Sequence, residues 1–171
     1  MALNLDNAIA YMRGLKLKGI RYSMYGSRTG IDGTGDCSGC IYKALLNAGC
    51  SPAGWVLNTD SMHDWLIKNG FKLISYCNEW NAQKGDIVIS GKKGESTGAA
   101  GHVFMFVDKN NIIHCTYKDA NNNGVYEEPE TNIYSIYNKP FYVYRYNGVV
   151  PCETKELTLT FNGKKYKLVE I

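Results

Sequence analysis

Residues 83–117 read QKGDIVISGKKGESTGAAGHVFMFVDKNNIIHCTY, and their period decides the fold class. Three runs, GDIVIS (85–90), HVFMFVD (102–108) and NIIHCTY (111–117), consist largely of β-branched and aromatic residues divided by Gly, Lys and Asn, the composition of strands joined by turns. FKLIS (71–75) and PFYVYRY (140–146) extend the pattern on either side. Upstream, the period becomes helical. Leu5, Ile9, Met12 and Leu15 share one face of residues 4–18, with Asn4 placed to cap and Gly19 to stop the helix. Ile41, Leu45 and Ala48 share a face of a second helix that Asp36 caps and Gly49 ends, and a third spans about 61–69, after Thr59-Asp60 and before Gly70. Helices first and strands second predict an α+β fold, with an antiparallel sheet covered on one face by the N-terminal helices.

The chain has 171 residues, 44% apolar and 20% charged, which suits one hydrophobic core and excludes disordered and fibrous classes. Its net charge of +3 is scattered, with no basic stripe for nucleic acid and no apolar run long enough to enter a membrane. MALNLDNAIAYMRG (1–14) carries charges inside its helical pattern rather than a basic start and an apolar core, so no secretory leader is expected and the six cysteines read as thiols made in a reducing cytosol. Pro151 marks the expected end of a domain over residues 1–150. In the remaining extension, 151–171, LTLTFNGKKYKLVEI reads as a β-hairpin turning at Asn162-Gly163.

Cys37 falls in the first turn of the second helix, where free N–H groups and the helix dipole favour a thiolate. Cys50, Cys77 and Cys115 read as small buried thiols. A nucleophilic thiol needs a base, and the chain offers His63, His102 and His114. If residues 102–108 and 111–117 pair through the turn Asp108-Lys109-Asn110, with Asn110 left-handed, Val107 faces Asn111 and Phe104 faces His114. His102, Phe104 and His114 then share a face, the imidazoles are diagonal neighbours, and Cys115 points the other way. His63, inside the third helix, reads as a surface or packing residue.

Three other chemistries fit parts of the pattern. Cys37-Ser-Gly-Cys40 at a helix start spells a dithiol redox motif, although a glycine-rich loop rather than a strand precedes it. Cys37, Cys40 and two histidines would suit zinc by ligand type but lack a second close pair. Residues 119–130 satisfy a calcium-loop pattern, with Asp119, Asn121, Asn123, Val125 through its carbonyl, Glu127 and Glu130 as ligands and Gly124 at the sharp turn. The competing reading of that stretch is an Asn-Gly turn carrying solvated acidic residues.

Tyr22-Ser23-Met24, Asp36-Cys37-Ser38, NTDSMHDWLIKNGFKLI (58–74), residues 83–108, NIIHC and YVYRY occur in an order that closely resembles the phage peptidoglycan hydrolases, a branch of the NlpC-type, CHAP-like cysteine peptidases with a papain-like fold. The resemblance spans about residues 5–147. It implies Cys37 as nucleophile, His102 as general base, His114 as the residue orienting the base, and a site wall that includes Tyr22 and Ser38, with the Cys37 N–H and the Tyr22 hydroxyl receiving the oxyanion. Ser38-Gly39 replaces the branch's Ser-Ser, Ser90 stands where an aromatic is common, and the loop of residues 25–35 is long, so neither Arg28 nor Asp32 receives a role. The implied reaction is hydrolysis of a stem-peptide amide, at the D-glutamyl bond or between muramic acid and L-alanine, by a monomer that needs no cofactor. Such a protein would be made in the host cytoplasm and act on the wall after release. A dithiol oxidoreductase using Cys37 and Cys40, and a non-catalytic wall-binding module, are the alternatives.

Overall fold

The structure is a computed structural model that describes residues 2–148, 157–161 and 164–168. Its helices are α1 (Leu5–Leu17), α2 (Cys37–Asn47) and α3 (Met62–Lys68), with a two-stranded parallel pair, β1 (Arg21–Tyr22) and β2 (Thr34–Gly35), between the first two. The main sheet contains β3 (Phe71–Tyr76), β4 (Ile87–Ser90), β5 (His102–Phe106), β6 (Asn111–Tyr117), β7 (Asn123–Pro129) and β8 (Phe141–Tyr146). Its order is β3-β8-β4-β5-β6-β7, and every neighbouring pair is antiparallel. Further on, β9 (Leu157–Phe161) pairs antiparallel with β10 (Lys164–Leu168), as a hairpin there requires; its expected turn, Asn162-Gly163, lies outside the described residues. Among the described residues, no helix is long and apolar enough to cross a membrane.

The caps form as their chemistry dictates. Asn4 Oδ1 accepts the Asp6 N–H at 3.1 Å, Asp36 Oδ1 accepts the Gly39 N–H at 2.7 Å, and Gly49 takes φ 108° beyond the end of α2. Alternation along the strands gives the sheet two apolar faces. Ile87, Ile89, Val103, Met105, Ile113 and Cys115 meet the helices. Val88, Phe104, Phe106, Ile112 and Val143 point the other way, beneath Trp80, Tyr137 and Phe141.

The β5–β6 register is the expected one, Met105 opposite Ile113 and Phe106 opposite Ile112, which sets Phe104 against His114. The turn reaches it differently. Arg28 and Cys77 are the non-glycine residues with positive φ among those described, so Asn110 is not left-handed. Instead Asp108 Oδ1 accepts the N–H groups of Asn110 (2.7 Å) and Asn111 (2.8 Å) and closes the turn from its side chain.

The calcium loop does not form. Asn123–Pro129 pairs with β6 along its whole length, and pleating sends alternate side chains to opposite faces. Glu127 takes the Arg13 guanidinium on the helix side (2.6 and 2.8 Å), while Glu130 accepts the Tyr137 hydroxyl. Asn123 Oδ1 accepts the Tyr22 N–H at 3.0 Å, and Asp119 organises its own turn by accepting the N–H groups of Asn121 (2.8 Å) and Asn122 (2.9 Å). Val125 belongs to the strand, opposite Cys115. The oxygens do not converge, and no group of three or more His, Cys, Asp or Glu side chains able to hold a metal occurs among the described residues.

One buried charge fastens the sheet. Asp86 is fully buried, receives Arg145 through two bonds of 2.7 Å, and also accepts the Trp80 indole N–H (3.2 Å) and the Gln83 N–H (3.0 Å). Asp86→Ala strands all these donors at once, so we expect a loss of about 3 kcal/mol, read as a lower denaturation midpoint with an unchanged m value.

Candidate active site

The loop before α2 carries the wall of the site. Arg28 adopts φ 60° and sends its guanidinium to Asp36 (2.5 Å), Ser38 Oγ (2.9 Å) and the carbonyls of Val56 (3.2 Å) and Leu57 (2.9 Å). A Cβ at Gly39 would collide with the Arg28 carbonyl, which explains why glycine follows Ser38 here. The buried Ser38 hydroxyl also donates to Asp36 at 3.2 Å, so Ser38 is held within this network although it lines the cleft.

Cys37 opens α2 beneath that network. Its thiol lies 3.9 Å from Thr59 Oγ1. The helix N-terminus does not yield a thiolate at rest. Burial, reinforced by neighbouring Asp36, pushes the Cys37 thiol up to about 11, so the sulfur keeps its proton at neutral pH.

His102 is the first residue of β5, a strand that packs against α2. His102 Nε2 and His114 Nδ1 are 2.8 Å apart, with ring centroids 5.0 Å apart and planes at 79°. Burial, with smaller contributions from His114 and Lys139, lowers the proton affinity of His102 to about 3, so this ring is neutral at rest. His114 is buried, and its Nε2 lies 2.9 Å from Glu128 Oε1.

A cleft of about 210 Å³ opens over the thiol, lined by Tyr22, Met24, Arg28, Cys37, Thr59 and Gly98. Burial raises the Tyr22 phenol well above its ordinary value, leaving a neutral hydroxyl at the cleft wall. A larger cleft of about 680 Å³, on the far side of the sheet around Trp80, Tyr134, Tyr137 and Phe141, holds Cys77 but no histidine. The smaller cleft lacks a histidine as well: His102 and His114 line a separate cleft of about 410 Å³ with Thr116, Lys118, Asn132 and Lys139.

The remaining candidates separate on burial. Cys40 has no exposed surface; its thiol points at the Arg28 carbonyl (3.8 Å) and lies against Cys115, which pushes its proton affinity far up. Such a sulfur is shut off from an exchange partner, and all five described cysteines are free. His63 is a packing residue: fully buried, it sits edge-on to Tyr142, and its Nδ1 is 2.7 Å from the Tyr144 hydroxyl.

Residues 4–152 match the sequence family described as bacteriophage peptidoglycan hydrolase. The chain belongs to that family. It is 49% identical over 117 residues to the lysin of Pneumococcus phage Dp-1, an alignment covering 68% of this chain and 38% of that lysin, so it spans well under half of the relative's length. Among solved structures, NlpC1 from Trichomonas vaginalis superposes with a TM-score of 0.55 at 22% identity, covering 85% of this chain and 45% of that one. The fold is thus the NlpC-type α+β fold.

Within this phage-hydrolase fold, two polar residues adjoin the site without a role read from the sequence. Arg28 ties the long loop to the start of α2. Glu128 sits beside His114, at a position the calcium pattern skips; the β6–β7 register, His114 opposite Tyr126, was the signal that makes it a diagonal neighbour.

Proposed function

We propose that the chain cleaves an amide bond of the peptidoglycan stem peptide through a Cys37–His102–His114 site. The observation that carries this reading is the 2.8 Å contact between His102 Nε2 and His114 Nδ1, made from β5, a strand that packs against the cysteine-bearing helix. With Nε2 committed to His114, Nδ1 is the His102 atom free to take a proton. The resting pair is a neutral thiol and a neutral imidazole. His102 takes the Cys37 proton as the sulfur attacks the amide carbonyl, and the oxyanion is received by the Cys37 N–H at the start of α2 and by the Tyr22 hydroxyl. His102 then returns the proton to the leaving amine. Water, deprotonated by the same ring, cleaves the thioester and restores the thiol. Nucleophile, base and orienting group all come from one copy of the chain, so a monomer working without a cofactor suffices. Family membership and the 49%-identical phage lysin support the bacterial wall, reached after release from the host cytoplasm, as the place of action.

Mass spectrometry of purified wall digested by the protein tests the proposal. We expect fragments with new free amines and no new reducing sugar ends. Stem peptides released with an N-terminal L-alanine identify the muramoyl bond, whereas glycan still carrying a dipeptide identifies the D-glutamyl bond. New reducing ends overturn the reading.

A further inference from the structure

We propose that Glu128 is a positioning residue that sets the direction of the histidine pair, an inference that rests on the function proposed above. Its carboxylate is held from three sides: Oε1 faces His114 Nε2 at 2.9 Å, while Oε2 accepts Lys118 Nζ at 2.8 Å and Asn132 Nδ2 at 2.9 Å. The carboxylate side chain is only 9% exposed and that of His114 only 1%, so water competes weakly for either group. An ionised carboxylate can only accept, and the His114 hydrogen bond, with help from Lys118 and Asn132, keeps Glu128 ionised well below the ordinary carboxylate range.

The consequence passes along the chain of contacts. His114 Nε2 must carry the hydrogen that Glu128 accepts, so in a neutral ring Nδ1 offers a lone pair. That lone pair, 2.8 Å from His102 Nε2, requires the hydrogen of His102 to sit on Nε2. His102 Nδ1 is then bare and able to accept the thiol proton. Without Glu128, His114 is free to take the other tautomer and donate from Nδ1. The His102 hydrogen would then move to Nδ1, where it blocks the base. Glu128 touches neither substrate nor sulfur and acts through two rings, as outer-shell partners of ligating histidines do.

The test combines nitrogen-15 NMR of the histidine rings with steady-state kinetics on a soluble wall peptide. In the wild type both rings should be Nε2–H tautomers. In Glu128→Ala, His114 should shift toward Nδ1–H, and kcat should fall roughly 10–100-fold with KM changed less than about twofold. Glu128→Gln, whose amide oxygen can still accept from Nε2, should restore most of both properties. If Glu128→Ala fails to fold, the wild-type tautomers and the Glu128→Gln kinetics decide alone. An Nδ1–H or doubly protonated His114 in the wild type overturns the proposal, as does a Glu128→Ala protein with wild-type kcat. The tautomers report on Glu128 even if wall cleavage proves not to depend on Cys37, so failure of this inference and failure of the proposed function are distinguishable.

Discussion

Replacing Cys37 with alanine should reduce the lysis of susceptible cells by at least about a thousandfold, because no other described thiol combines a helix N-terminus, an open cleft and a histidine-bearing strand packed against its helix. The same variant should still sediment with purified wall and unfold cooperatively, which separates an enzyme from a module that only binds. Cys40→Ala is the control. Its sulfur is enclosed by Arg28 and Cys115, so activity should stay within about threefold of wild type while stability falls by roughly 1–2 kcal/mol from the small cavity left behind. Equal loss in both variants, with folding intact, would point to a dithiol.

The second large effect separates the histidines. His102→Ala removes the proposed base and should cost a thousandfold or so. His114→Asn should retain a measurable part, roughly 1–10% of wild type, since an amide can still bond the His102 ring. The pH profile carries its own signature. With the thiol raised to about 11 and His102 lowered to about 3, both by burial first of all, the neutral pair is the resting state throughout the neutral range. kcat/KM should therefore stay level across the usual histidine titration near pH 6.5 and fall only in stronger acid, where protonation removes the base. A fully active His102→Ala protein, or an acid limb at 6.5, would end this assignment.

How much of this was legible in the sequence depended on whether a signal was local. The helix caps at Asn4 and Asp36 and the shared face of His102 and His114 follow from spacing alone, because period and register are properties of neighbouring residues. β7 was misread because Asn123, Gly124 and two glutamates look like a turn; they tolerate an edge strand because Glu127 finds Arg13 from α1 and Glu128 finds His114 from β6. Those partners are 114 and 14 residues away. The Cys37 thiol was expected to be a thiolate, since a helix N-terminus is visible in sequence and the enclosure that outweighs it is not. Arg28 went unassigned for a like reason, as its four anchors lie in two separate segments, Asp36 and Ser38 in one and Val56 and Leu57 in the other.

Cys37, the proposed nucleophile, opens a helix that covers one face of the sheet, whereas the histidine pair shares the opposite face with Phe104. Neither the helical nor the strand half of the chain holds all three residues of the proposed site. The helical portion contributes the thiol of the proposed site, and the strands contribute its two imidazoles. The sheet itself closes late in sequence terms, β3 pairing with β8 across some seventy residues, a connection that contact-order arguments place among the slow steps of folding. On the proposed function, activity would thus arrive in one cooperative event rather than by degrees, and a nascent, truncated or nicked chain would be inert until its two layers dock.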